Sequence, residues 1–189
     1  MSSPSCGLCH QLSFTFTAQG RSADTCADPS LTGVYVVGFD PNHTWHDYGP
    51  RWAFVNNALN GFDWKLQGPA FLAWPNAQEF TVPFYELIKE NPDELIFVTS
   101  PTGAPPVVDG FTLQGIIGYV YETQVCGSVP LSVAFQEAAT DRYYTTSASE
   151  HASLVANGWV DEGIAAFVLP IPAGMFIIIP YKSGLMFNW

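Results

Sequence analysis

The sequence predicts a β-rich domain with minor helices, built on an internal repeat of about 48 residues and arranged as a propeller- or trefoil-like ring. Three observations carry this expectation. Gly-aromatic pairs begin at Gly61, Gly110 and Gly158, 49 and 48 residues apart, and each is followed by Gln-Gly or Glu-Gly and then an apolar stretch. The segment VPFYELIKENPDELIFVTS (82–100) lies over VPLSVAFQEAATDRYYTTS (129–147) without a gap, at an offset of 47. Finally, the 189 residues are 48% apolar and 15% aromatic but only 12% charged, the balance of a chain that buries a full core rather than a disordered one.

Each unit reads as a hairpin, a short helix or turn, and a strand, over 34–74, 82–121 and 129–169. In the first unit the hairpin turns at Asp40-Pro41-Asn42. In the second it turns at Asn91-Pro92-Asp93, and in the third between Ala138 and Asp141. The stretch 100–110 of the second unit holds three prolines, which allow a single turn at most. Its counterpart, 147–158, reads as a helix: Ser147 caps the amide of Glu150, Glu150 reaches back to complete a capping box, and Gly158 supplies the left-handed stop. A partial fourth unit, 175–189, turns at Lys182-Ser183-Gly184. The stretch 11–18 alternates Leu12, Phe14 and Phe16 with Ser13, Thr15 and Thr17, as a half-buried strand does. Pairing of these terminal segments is expected to close a single domain, 1–189.

Seventeen acidic against six basic residues give a formal charge of −11, which disfavours nucleic acid and anionic membrane surfaces as partners. The longest apolar run, GMFIIIP, is far shorter than the ~20 residues that span a bilayer, so no membrane insertion is expected. The start, MSSPSCGLCHQL, has neither the basic nor the apolar region of a signal peptide, and localisation stays open between cytoplasm and secretion after processing. Cys6, Cys9, Cys26 and Cys126 allow two disulfides in three pairings or a reduced protein. The CGLCH pattern at 6–10 matches c-type haem attachment, and Cys6, Cys9, His10 and Cys26 are usable zinc ligands. A local disulfide, or a clip to Cys26, is preferred to either, and no cofactor is expected.

The stretch 141–169 carries Tyr143, Tyr144, Thr145, Thr146, Ser147, Glu150, Gly158, Trp159, Glu162, Gly163, Ala166 and Phe167. In these residues it resembles a repeat domain of unknown function from bacterial and fungal proteins, whose copies run His-Phe-Tyr-Thr-Thr, Ser-x-x-Glu, Gly-Trp or Gly-Tyr, then Glu-Gly-x-Ala-Phe. Arg142 stands where that pattern has His, and the other units keep only the Gly-aromatic and Gln-Gly signals. Such domains often accompany secreted hydrolases and cell-wall enzymes, so the resemblance implies an accessory, carbohydrate-directed role.

No G-x-S-x-G or H-E-x-x-H is present, and the histidines at 10, 43, 46 and 151 carry no catalytic signature, so no enzyme is expected. His43, His46 and Asp47 are read as a solvent-facing polar turn rather than a metal site. Two carboxylate pairs are candidates for glycoside chemistry: Asp161 with Glu162, which face apart on a strand, and Glu86 with Asp109. Glu162 aligns with Gln114 and Gln67, which suggests a structural hydrogen bond tying the strand to the preceding turn. Trp159 aligns with Phe62 and Phe111, which assigns it to the core. Trp45, Trp52 and Trp64 have no aromatic counterpart in every unit. They are the candidates to stack on a sugar, with Asp47, Asn56 and Asn57 supplying polar contacts. The expected function is non-catalytic, lectin-like glycan binding; the alternatives are a protein-interaction or defence module (an inhibitor or toxin subunit), then an uncharacterised hydrolase.

Overall fold

The computed structural model describes residues 25–58 and 62–173. After a 3-10 turn at Pro29–Leu31, the chain forms β1 (Gly33–Asp40), β2 (Trp45–Pro50), α1 (Arg51–Ala58), β3 (Lys65–Ala73), β4 (Val82–Glu90) and β5 (Asp93–Thr99). It continues with β6 (Thr112–Val120), β7 (Val129–Gln136), β8 (Asp141–Thr145), α2 (Ala148–Ala156) and β9 (Val160–Val168). The strands make three antiparallel three-stranded sheets of the same order: β2-β1-β3, β5-β4-β6 and β8-β7-β9.

The pairing explains the Gln-Gly and Glu-Gly pairs. In each sheet the outer strand carries two irregularities against the central strand. One of them leaves Gln67, Gln114 or Glu162 without a partner, so these are bulged residues. The glycine that follows adopts positive φ: +143° at Gly68, +155° at Gly115 and +84° at Gly163. These glycines lie opposite Val37, Glu86 and Val133 respectively.

Beyond the bulges the outer strands run from solvent into the core, ending on buried Phe71 and Ala73, Val120, and Ala166 and Val168. There they join one another. Leu72 exchanges two backbone hydrogen bonds with Leu169, Trp74 with Tyr119, and Tyr121 with Phe167, so every sheet is linked to both of the others. The β2, β5 and β8 strands bring Tyr48, Phe97 and Tyr144 together, with ring centroids 5.1 to 5.8 Å apart and all three rings edge-on. Around them a continuous core of Tyr35, Phe71, Phe84, Leu131 and their neighbours draws on all three sheets.

Helix α2 forms where expected. Ser147 Oγ accepts from the Glu150 amide at 3.2 Å. The helix ends in a Schellman motif, with Trp159 N–H on Leu154 O and Gly158 N–H on Val155 O. The capping box is corrected: Glu150 accepts from Thr145 Oγ1 at 2.5 Å, while the Ser147 amide donates to that same threonine oxygen at 3.0 Å. The prolines of 100–110 leave turns and no helix. Helix α1 has no such local signature. It is held instead by Phe54, which lies on Gly38 of β1 so closely that a Cβ there would come 2.7 Å from the ring.

The expected clip from Cys6 or Cys9 to Cys26 is also corrected, because Cys26 is disulfide-bonded to Cys126 in the β6–β7 loop. Cys6, Cys9, the strand expected at 11–18 and the hairpin expected at 175–189 lie outside the described residues. Among the described residues no helix is long and apolar enough to cross a membrane.

Candidate functional site

The shared registers fix which positions correspond between sheets. Tyr48, Phe97 and Tyr144 pair with Val37, Glu86 and Val133, the residues that also face the bulge glycines. One step earlier on the hairpins stand Asp47, Ile96 and Tyr143. Where the second and third sheets adjoin, Ile96, Val133 and Ile164, together with the paired Arg142 and Glu162, help to line a shallow hollow of about 240 Å³. Where the first and second adjoin, a cavity of about 330 Å³ is lined by Asp47 of β2, Glu86 of β4, Ile116 of β6, Tyr35 of β1 and Trp52 of α1. Two carboxyls thus stand at a boundary whose counterparts at the second boundary are isoleucine and valine.

A fold that accepts valine where Glu86 stands has no structural need for that acid, and burying a carboxylate without a partner is costly. Asp47 Oδ1 accepts from the Tyr48 amide at 2.6 Å. Among the described residues no Lys, Arg or His lies within ion-pairing distance of Asp47 or Glu86. Burial pushes the Asp47 carboxyl up to about 6 against the opposing pull of the Tyr48 amide. It pushes Glu86 up to about 8, and the negative charge of Asp47 adds to that rise. Burial and mutual repulsion thus favour retention of a proton by the pair near neutral pH.

Trp52 stands at the mouth of this cavity, on the first turn of α1, and is 67% exposed. Ile116, which also lines the cavity, is 45% exposed. The cavity thus combines an accessible indole, an apolar wall and two hydrogen-bonding carboxyls, the mixture of surfaces that small-molecule sites use.

Of the residues singled out in the sequence, the structure brings Asp47 and Trp52 together. Trp45 is only 5% exposed and packs on His43 inside the core. Trp64 is half-buried between Phe54 and Phe62. The indole N–H groups of both, Trp45 and Trp64, are buried without a hydrogen-bond partner. Asn56 and Asn57 fall in the last turn of α1, and their side chains lie outside the described residues. In the sequence Glu86 is a candidate only in a pair with Asp109. The gapless overlay of 82–100 on 129–147 already set it against Val133, and an acid where the twin segment has valine was the available signal.

The remaining polar clusters are occupied internally. His43 Nδ1 meets Asp40 Oδ2 at 3.0 Å and His46 Nδ1 meets Asp141 Oδ2 at 2.8 Å, so the two histidines face different carboxylates and do not converge with Asp47. Arg142 forms a bidentate pair with Glu162, also binds Glu94, and lies over the Phe135 ring. Glu162 and Gln67 reach across the central strand to the far strand of the sheet, on Arg142 of β8 and His46 of β2, rather than to the preceding turn; the Gln114 amide makes a long 3.4 Å contact with Thr112 O.

No curated protein and no solved structure matches the chain. Residues 35–169, from β1 to the residue after β9, match the family model described as "Domain of unknown function (DUF5648)", and the chain belongs to that family.

Proposed function

We propose that this protein is a non-catalytic, carbohydrate-binding module whose site is the cavity between the first and second sheets, serving as an accessory to secreted hydrolases. The observation that supports the reading is the exposed Trp52 indole at the mouth of a cavity holding Asp47 and Glu86. The apolar face of a pyranose packs on an indole, and carboxyl groups bind its hydroxyls. A glycan array probed with the parent chain and with Trp52→Ala tests it. Saturable binding to one glycan class, lost in the variant, supports the reading; a blank array on folded protein removes it.

We also read the three sheets as copies of one unit of about 48 residues, set as a ring in a single domain, 1–189. The terminal segments complete a fourth, partial unit. The common strand order and the glycine bulge shared by all three outer strands support this. Deleting residues 1–18 then lowers the melting temperature, whereas a truncated chain that melts like the parent removes the role of the termini.

A second reading, a protein-interaction or defence module, is favoured by the apolar residues exposed on the outer strands, Leu66, Leu113, Ile116, Val160 and Ile164. A single partner captured by the immobilised chain, and competed by free chain, supports it.

A further inference from the structure

We infer that the Asp47–Glu86 cavity takes an amino sugar, a glycan residue bearing a free primary amine, with its ammonium between the two carboxyls and against the indole of Trp52. The inference rests on the carbohydrate-binding reading of the same cavity and names the ligand's chemistry.

A neutral sugar needs hydrogen-bond acceptors, and one carboxylate beside an indole supplies them. It gives no reason for a second acid facing the first. Two ionised carboxyls here would repel, so without a cation the pair retains a proton near neutral pH, and the corresponding positions at the second boundary are Ile96 and Val133. A cation turns this repulsion into attraction. Among the described residues no basic side chain supplies that cation: Arg142, Lys65 and Lys89 are engaged with Glu94, Glu162 and Asp63, and Arg51, exposed at the start of α1, forms no ion pair with Asp47 or Glu86.

Three features select an organic ammonium over a metal ion. Calcium takes six to eight oxygen ligands, and among the described residues no group of three or more His, Cys, Asp or Glu side chains gathers anywhere. The exposed Trp52 ring offers the π-face that ammonium groups favour. The apolar wall of Ile116 and the cavity of about 330 Å³ suit a carbon-framed ligand of about one sugar ring rather than a bare ion. An N-acetylated sugar carries no charge at this nitrogen and gains nothing from the second carboxyl. The net charge of −11 attracts a polycationic oligosaccharide from a distance, so the test must separate that general attraction from the cavity itself.

The full chain is titrated by calorimetry at pH 7 with three oligosaccharides of equal length: β-1,4-glucosamine, its fully N-acetylated form and a β-1,4-glucose oligomer. The expected result is binding of the free-amine oligomer at least tenfold tighter than the other two. Proton release is expected with it, read from buffers of different ionisation enthalpy, because a bound ammonium favours the ionised form of Glu86. Glu86→Val, which installs the residue that β1 and β7 carry at this position, is expected to fold as the parent does and to remove both the preference and the proton release. Asp47→Asn is expected to weaken the same ligand, with folding checked by circular dichroism. Equal binding of all three sugars, or tighter binding of the N-acetylated or glucose oligomer, overturns the amine inference and leaves the carbohydrate reading standing. Undiminished binding of the amine oligomer by Glu86→Val shows attraction to the acidic surface alone and also overturns it. Failure of all three oligomers overturns it as well, and the glycan array then decides the broader reading separately.

Discussion

The backbone amide of Tyr144 donates to the hydroxyl of Tyr48 at 2.8 Å, and the amide of Phe97 donates to the hydroxyl of Tyr144 at 3.0 Å. These residues occupy corresponding positions in three different sheets, and each ring lies edge-on to the other two. The third bond of the cycle is missing because Phe97 has no hydroxyl. The amide of Tyr48 turns instead to Asp47 Oδ1 at 2.6 Å. A gap in the central hydrogen-bond cycle thus fixes the carboxylate that lines the cavity.

Removing either hydroxyl strands a buried amide. Tyr48→Phe and Tyr144→Phe are each expected to lower unfolding stability by about 1–3 kcal/mol, the range for an unsatisfied buried donor. Urea denaturation measures it. Variants as stable as the parent would mean that the cycle contributes nothing to holding the sheets together.

Glu86 sets a pH dependence of stability. Its folded-state pKa is raised to about 8 by burial and by the charge of Asp47, above the ordinary carboxylate value. Its stabilising share is therefore fully present below about pH 4.5 and is lost as pH rises through about 8. Glu86→Val has no such group. Relative to the parent it is expected to gain stability between about pH 5 and pH 8 and to level off above, by on the order of 2 kcal/mol at the upper end. Parallel curves for the two proteins across that range would show that the carboxyl is well solvated in the folded state.

The Cys26–Cys126 bond joins positions 100 residues apart, tying the segment before β1 to the loop between the second and third sheets. A loop of that size is worth about 4.7 kcal/mol in the chain-entropy account. Cys126→Ser is expected to lose about 3–5 kcal/mol, and a reducing agent to shift the parent's melting curve by the same amount while leaving the variant's unchanged. A parent that melts identically with and without reductant refutes a structural role for the bond.

What was readable in the sequence was whatever local residues dictate. Helix α2 announces itself through Ser147 and Gly158, and the hairpin turns through their Asn, Pro and Asp residues. The Gln-Gly and Glu-Gly pairs were visible as a motif. Their cause was not, because a bulge is a property of two paired strands and only one of them carries the motif. Helix α1 was hidden for a related reason, since its anchor is the contact between Phe54 and Gly38 rather than a cap. Trp52 stood out as an unmatched tryptophan. Its partnership with Glu86 depends on two adjacent sheets packing together, and no spacing within either segment marks that. Trp45 and Trp64, equally unmatched, went to the core because their rings stack on His43 and Phe62.

The glycines separate two physical effects that substitution by alanine can distinguish. Gly163 sits in the β9 bulge at φ +84°, and a Cβ there would meet nothing within 4 Å. Its replacement costs only backbone strain, about 1 kcal/mol. Gly118 has ordinary φ, but a Cβ there would lie 2.2 Å from the hydroxyl of Tyr35, which donates to Ile117 O at 2.8 Å. Gly118→Ala must expel that buried ring from its position and break the bond between the first and second sheets. It is expected to cost at least twice as much as Gly163→Ala and, because Tyr35 and Ile117 both line the cavity, to disturb ligand binding. Thermal melts of both variants, with binding measured on whichever stays folded, read the difference. Equal losses would mean that the Tyr35 contact relaxes freely and does not position the cavity wall.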